Sequence, residues 1–363
     1  MRRLLPGALL TAAVVTGVAL TSVPAGAGPA VSPAVLAQPV VVATGLNNPR
    51  QLSVSDADLL VAEAGSGGSE CGEDGCIGTT GSVALIKQAY WARSAAPTRV
   101  VTGLLSAAAP DGGFAVGSDG VAAGELGRVF VAMTYAPPDL IPEPLPGEQA
   151  GKLLVGYLNR VRVVADISSV EIGQDPDGQG VDSNPYAVLS LPGRQLVADA
   201  AGNTIIEVRN GQPRVFAVLP EHDGNQSVPT SLAVGRDGTI YVGELNGENP
   251  GTARVLKLSP TGELLGHVGG FTTITGVAVG QDGTLHVSEL FAGGEDGPPG
   301  QVTTVRPNGS RSSRPVPFPA GLALDAGGHL YVSAWSIADA DGTELGVSNG
   351  PEASPPGQVW RLS

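Results

Sequence analysis

Four acidic residues hold matching places in strings of one shape. They are Glu63 in "DLLVAEAG", Asp199 in "RQLVADAAG", Glu244 in "GTIYVGELNG" and Glu289 in "GTLHVSELFAG". Each ends a short run of β-forming residues. Carboxylates gathered round one point could hold a divalent cation. Calcium is the natural one, since it takes roughly six to eight oxygens from carboxylates and carbonyls. Asn184 in "DSNPYAV" could add an amide oxygen. His222 in "PEHDGNQSVPT" could add a base or a ligand, with Glu221, Asp223 and Asn225 beside it. A plainer reading gives each carboxylate to the N–H groups of its own following loop, as the Asx-type string "DAAGNT" from Asp199 to Thr204 invites. The two readings differ in whether the carboxylates converge.

The elements that position these residues repeat. Asp199, Glu244, Glu289 and Ala334 follow one another at intervals of 45 residues, while Glu63, Met133 and Asp199 are separated by 70 and 66. Ahead of each such strand lies another: "RQLSVS", "GFAVGS", "YAVLSLP", "TSLAVGR", "TGVAVGQ" and "AGLALDA". Turn signals such as "RDGT" and "QDGT" join the two. A third strand follows, from "GSVALIK" to "GQVWRLS", and five units continue to a fourth. Short strands in groups of four, repeated six times, predict an all-β, six-bladed β-propeller. The sixth unit stops at its third strand, but "QPVVVATGL", residues 38–46, resembles the fourth strand "RVVTGLL" of the first unit. It is expected to pair beside "GQVWRL" and close the ring, removing an exposed sheet edge. Loops after second strands and before first strands then share one face, so Glu63, Asp199, Glu244 and Glu289 form an acidic rim interrupted by Met133 and Ala334.

Composition agrees. Gly 53 and Pro 30 supply turns, and 42% hydrophobic residues supply a core. Residues 1–27 read as a secretory signal peptide: Arg2 and Arg3, an apolar run, and "AGAG", with an alternative cleavage after Ala37 in "VLAQ". The propeller is then residues 38–363, and the expected location is secreted, extracellular or periplasmic. Losing residues 1–27 removes two arginines and no acid, leaving 18 basic against 34 acidic residues, or −16. Such a surface repels nucleic acid, and no other stretch is apolar enough for stable membrane insertion. The partners that remain are a small molecule or a protein. Cys71 and Cys76 are the two cysteines, and export makes them a disulfide.

Three further strings bear on chemistry. "GQDPDGQGVDSNP" carries Asp175, Asp177 and Asp182 among glycines, like an acidic calcium loop, but fails the EF-hand spacing. "GVSNG" matches a nucleophile elbow but is followed by "PEASPPG", which cannot be a helix. His267, His286 and His329 fall in strands or turns and read as structural.

The strings "ATGLNNPRQLSV", "LLVAEAGSGG", "DSNPYAV", "LVADAAGNTI" and "VPTSLAVGRDGTIYVGELNG", in that order, resemble the ScyD/ScyE family. That resemblance implies an exported NHL-like propeller and carries no catalytic residue across. Glu63, Asn184, Asp199, Glu244 and Glu289 are also similar to the channel ligands of six-bladed calcium lactonases of the gluconolactonase type. The "GL-x-x-P" opening resembles quinone-dependent sugar dehydrogenases, which need histidine and arginine at the cofactor. Two functional readings therefore stand. One is a secreted binding or scaffold propeller presenting an acidic face, with a structural calcium. The other is a calcium-dependent lactonase or hydrolase.

Overall fold

Successive side chains of a pleated strand point to opposite faces, so a strand apolar on both faces must be covered on both. The second strands are of this kind. In Asp58–Glu63, Leu59 and Val61 enter one apolar layer, Leu60 and Ala62 the next, and all four are buried. The computed structural model describes residues 38–72, 75–109, 114–157, 160–247, 249–292, 300–337 and 356–362, and in it six antiparallel sheets meet this demand by stacking face to face around a ring. The signal-peptide stretch and "GVSNG" lie outside the described residues.

From the axis outward, blade one comprises Pro49–Ser55, Asp58–Glu63, Cys76–Ile86 and Thr98–Ala108. Blade two comprises Ser118–Ala123, Val129–Met133, Lys152–Tyr157 and Arg160–Asp166. Blade three comprises Pro185–Leu191, Arg194–Asp199, Thr204–Arg209 and Gln212–Val218. Blade four comprises Pro229–Val234, Ile240–Glu244, Ala253–Leu258 and Leu264–Phe271. Blade five comprises Ile274–Val279, Leu285–Glu289, Gln301–Val305 and Arg311–Pro315. Blade six comprises Leu322–Leu324, Leu330–Ala334, Gly357–Leu362 and, outermost, Val40–Leu46. First strands touch first strands around the whole circle, blade six against blade one included. The core is accordingly not central. It is divided into six apolar layers, one between each pair of neighbouring blades.

Ring closure is as the repeat predicts. Val40–Leu46 pairs antiparallel with Gly357–Leu362, from Val40 opposite Arg361 to Leu46 opposite Gly357. A Cβ on Gly357 would lie 2.4 Å from Pro49 Cδ, so only glycine permits this approach. The far edge of the N-terminal strand is covered as well: Ser94 and Ala95 donate N–H bonds to the carbonyls of Val41 and Val42. Arg361 donates to the Tyr90 carbonyl and lies over the Tyr90 ring, 4.3 Å from its centroid. Both edges of this strand are thus bonded, which blunts it as a template for aggregation.

One strand differs from its sequence-based expectation. "GFAVGS" is not the first strand of blade two. Ala115–Val116 pairs antiparallel with the end of Thr98–Ala108 in blade one, and the first strand of blade two is Ser118–Ala123. "SDGVAA" opens on Ser-Asp-Gly, a turn-like string, ahead of the small apolar residues Val121, Ala122 and Ala123. The innermost position has no room for more: a Cβ on Gly120 would lie 2.9 Å from the Tyr186 carbonyl oxygen in blade three.

Cys71 and Cys76 form a disulfide across an antiparallel pair, with Cα atoms 3.9 Å apart. It closes a small hairpin at the edge of blade one and fastens a loop rather than the ring.

Candidate functional site

Glu63, Asp199, Glu244 and Glu289 do end their second strands, and each is buried. In each of their blades the first-to-second-strand pairing is irregular at the rim, for example between Pro229 and Ser231. Such a bulge re-aims the backbone entering the blade. A residue just before the first strand can then reach the carboxylate. Glu63 accepts from Asn47 N at 2.8 Å, Asp199 from Asn184 N at 2.6 Å, and Glu289 from Thr272 N at 2.9 Å. Glu244 accepts instead from Ser227 Oγ at 2.7 Å.

Glu63, Glu244 and Glu289 find further partners on the outer strands of the same blade, and Asp199 on the loops beside its own strand. Arg254 holds Glu244 with both Nε and a terminal nitrogen, at 2.7 and 2.9 Å. Arg99 holds Glu63 in the same two-pronged way, at 3.0 and 2.8 Å, and Ser82 Oγ adds a bond at 2.6 Å. Glu289 accepts from Gln301 Nε2 and Thr303 Oγ1. Asp199 accepts from Ser183 Oγ and Gly202 N; burial raises its pKa and these bonds offset part of the rise. Each acid therefore latches the chain entering a blade to the strands inside it. The four do not converge: among the described residues no three of them form a cluster with ligand spacing. Where the acid is missing in blade two, Thr134, next to Met133, donates its hydroxyl to Asp119 of the first strand.

Sequence reasoning missed what fills the axis. Gln51, on the first strand of blade one, donates its amide to the carbonyls of Thr230 and Thr275 at 2.9 and 2.7 Å. Those carbonyls belong to blades four and five, so the side chain crosses to the opposite side of the ring. Arg50 donates to the carbonyls of Ser336 and Ala115 and lies 3.6 Å from Asp119. Burial pushes the Asp119 carboxyl upward against the pull of Arg50. The long polar dipeptide Arg50-Gln51, where the first strands of blades four and five carry the short Thr230-Ser231 and Thr275-Gly276, is the signal that could have found them.

The other candidates are dispersed. His222 lies in a tight turn, bonded through its backbone to Asn225 and through Nε2 to Asp223 at 3.1 Å, beside the His267 ring. It is not brought to the acidic residues. Asn184 contributes its N–H to Asp199, and its amide oxygen is buried without a hydrogen-bond partner.

A cluster of titratable groups with ligand spacing lies elsewhere, at Glu171, Asp175 and Asp177, whose ligand atoms are all within 4.8 Å of one another. Burial, then the charges of Asp177, Asp199, Asp175 and Asp182, push the Glu171 carboxyl up to about 7. The opposite face carries a cleft of about 660 Å³ between blades two and three, lined in part by Arg128, Phe130, Leu191 and Gln195.

Glu207 in blade three is an acid of another kind. Its own burial raises its pKa, but bonds from Arg194, Arg214 and Arg209 outweigh that and lower it to about 2 from 4.5. A depressed carboxyl contributes stability above its unfolded pKa and loses it as pH falls through the folded one. The stability difference between the parent and Glu207→Gln, read as urea midpoints, is expected to be constant above about pH 5 and to shrink between about pH 4.5 and 2.

No family model matches the chain, and no curated protein matches it. Solved structures do. A putative oxidoreductase (glucose dehydrogenase) from Thermus thermophilus is 16% identical, with a TM-score of 0.54 over 90% of this chain and 99% of the other. The PQQ-bound aldose sugar dehydrogenase of Streptomyces coelicolor is 12% identical, with a TM-score of 0.54 over 90% and 97%. A putative gluconolactonase is 12% identical, with a TM-score of 0.50 over 91% and 93%. The likeness is one of fold. Among the described residues no helix is long and apolar enough to cross a membrane.

Proposed function

We propose that the chain is a secreted binding or scaffold propeller of the ScyD/ScyE kind for a small molecule or a protein; the rim acids expected to present an acidic face to that partner are instead buried in their blades, so its charge lies on the rest of the surface. One observation carries this reading over a lactonase: the carboxylates expected to bind a channel metal are each held by donors of their own blade. A carboxylate already bonded to a guanidinium on two prongs, as Glu63 and Glu244 are, is a poor metal ligand, because binding would break a charge-assisted pair and, at Arg254, leave a buried cation unpaired. The axial position is taken by Gln51 and Arg50 rather than by open ligands. The propeller frame shared with a gluconolactonase-like protein and sugar dehydrogenases supports either role, since function lies in the site and not in the frame. The net charge of −14 suits a basic partner or a cation.

The test is a panel of lactones and esters offered to the purified protein, with calcium and with chelator. No turnover above the blank is expected in either condition. Turnover that requires calcium, and that disappears in folded Glu63→Gln or Glu244→Gln, would establish the hydrolase reading instead.

A further inference from the structure

The rim carboxylates all have donors; Glu171 has none. It lies on the short helix Ser168–Gln174, in the crossover from blade two to blade three. The residue is 1% exposed, and neither carboxylate oxygen has a hydrogen-bond partner. An ionised carboxylate taken out of water without a donor or a counter-charge is strongly unfavourable. Among the described residues no salt bridge joins Glu171, Asp175, Asp177, Asp182 or Asp199 to a basic side chain.

The surroundings are built to aim these oxygens at one another. Asp175 ends the helix in the left-handed region, at φ 43°, and turns the chain back past Glu171. Asp177 is held by Gln179 N at 2.9 Å and by Asn203 Nδ2 at 2.7 Å, which leaves its orientation fixed from two sides. Asp175 accepts from Gly180 N at 3.2 Å. A Cβ on Gly202 would lie 2.6 Å from Glu171 Oε2, so glycine there keeps the space that oxygen occupies. Oxygens bound to one calcium at about 2.3–2.6 Å lie no more than about 5 Å apart, and the three carboxylates satisfy that limit. An all-oxygen, carboxylate-rich donor set selects a hard cation over zinc or copper.

We propose that Glu171, Asp175 and Asp177 form a calcium site that ties the crossover between blades two and three to the Asp199–Thr204 hairpin of blade three. Asp182 and Asp199 add to the negative potential that draws the ion in. This deepens the binding-propeller reading by giving its cation a place. It is read out by metal content and melting rather than by turnover, so the two can fail separately.

The experiment strips the full-length protein with chelator and re-equilibrates it at about 1 mM calcium, the affinity range of extracellular modules. One calcium per chain is expected by elemental analysis, with a melting rise of about 3 °C or more over the chelated protein and a smaller rise with magnesium. Glu171→Gln and Asp175→Asn should each lose the bound calcium and the rise. In chelator, Glu171→Gln should melt no lower than the parent, because it replaces a buried carboxyl that has no donor with an amide able to donate toward Asp175 and Asp177; this separates lost binding from lost folding. If that variant does not fold, Asp175→Asn carries the same test. No retained calcium, or a full rise kept in the variants, overturns the site; an equal rise with magnesium overturns its assignment to calcium.

Discussion

A chain lacking Val40–Leu46 is expected to lose its cooperative melting transition, or to melt far below the intact protein. The strand is outermost in blade six, yet it contributes Val42, Ala43 and Leu46, all buried, to the apolar layer between blades six and one. Burying a Val or Leu side chain is worth about 1.5–3 kcal/mol, so Val42 and Leu46 alone account for about 3–6 kcal/mol. Total stabilities are about 5–15 kcal/mol. The deletion also strips Gly357–Leu362 of its partner and frees the carbonyl-bonded segment at Ser94 and Ala95. An unpaired edge of this length should promote association. Circular dichroism melts and size-exclusion profiles of the truncated and intact proteins read both effects. Coincident melts would mean that the ring does not depend on this strand.

Glu244→Gln is the point substitution expected to cost most among the rim acids. Glu244 is fully buried and Arg254 nearly so, with side-chain exposures of 0% and 8%. Removing one member of a buried, doubly bonded pair leaves the other as an uncompensated charge, at a cost of about 3–5 kcal/mol. The equivalent change at Glu63 should cost less, because Arg99 is 41% exposed and water can take over its solvation. Combining Glu244→Gln with Arg254→Met should recover much of the loss, since an apolar chain of similar length demands no counter-charge. Urea unfolding of the three variants gives the ranking. A Glu244→Gln midpoint within error of the parent would refute the latch.

How much of this was legible beforehand follows from what each feature depends on. Strand order, the 45-residue interval and the closing strand are properties of local pattern, and "QPVVVATGL" could be matched to "RVVTGLL" by eye. The acids could be placed at strand ends for the same reason. Their partners could not. Arg254 lies 10 residues beyond Glu244 but Arg99 lies 36 beyond Glu63, in the fourth strand rather than the third, so no single spacing announces the pair. Bulges decide which backbone N–H reaches which carboxylate, and bulges leave little trace in an apolar pattern. The first strand of blade two was hidden because close approach to the axis calls for the small residues that elsewhere make turns. Glu171 escaped notice because "SSVEIGQ", with β-branched residues and a glycine, does not read as a helix. Without the helix, its four-residue separation from Asp175 carries no meaning.

The pairing of Val40–Leu46 with Gly357–Leu362 has a consequence for the order of events in synthesis. The earliest of the described strands to emerge must wait for the last of them before its ladder to Gly357–Leu362 can form, although Ser94 and Ala95 can bond its other edge sooner. Five blades can assemble from neighbours in the chain, but the sixth joins segments more than three hundred residues apart, which is a slow and entropically demanding step. Until then the nascent protein carries an unsatisfied edge, and a prematurely terminated chain carries it permanently. Cellular quality control would thus have a simple mark of incompleteness to read.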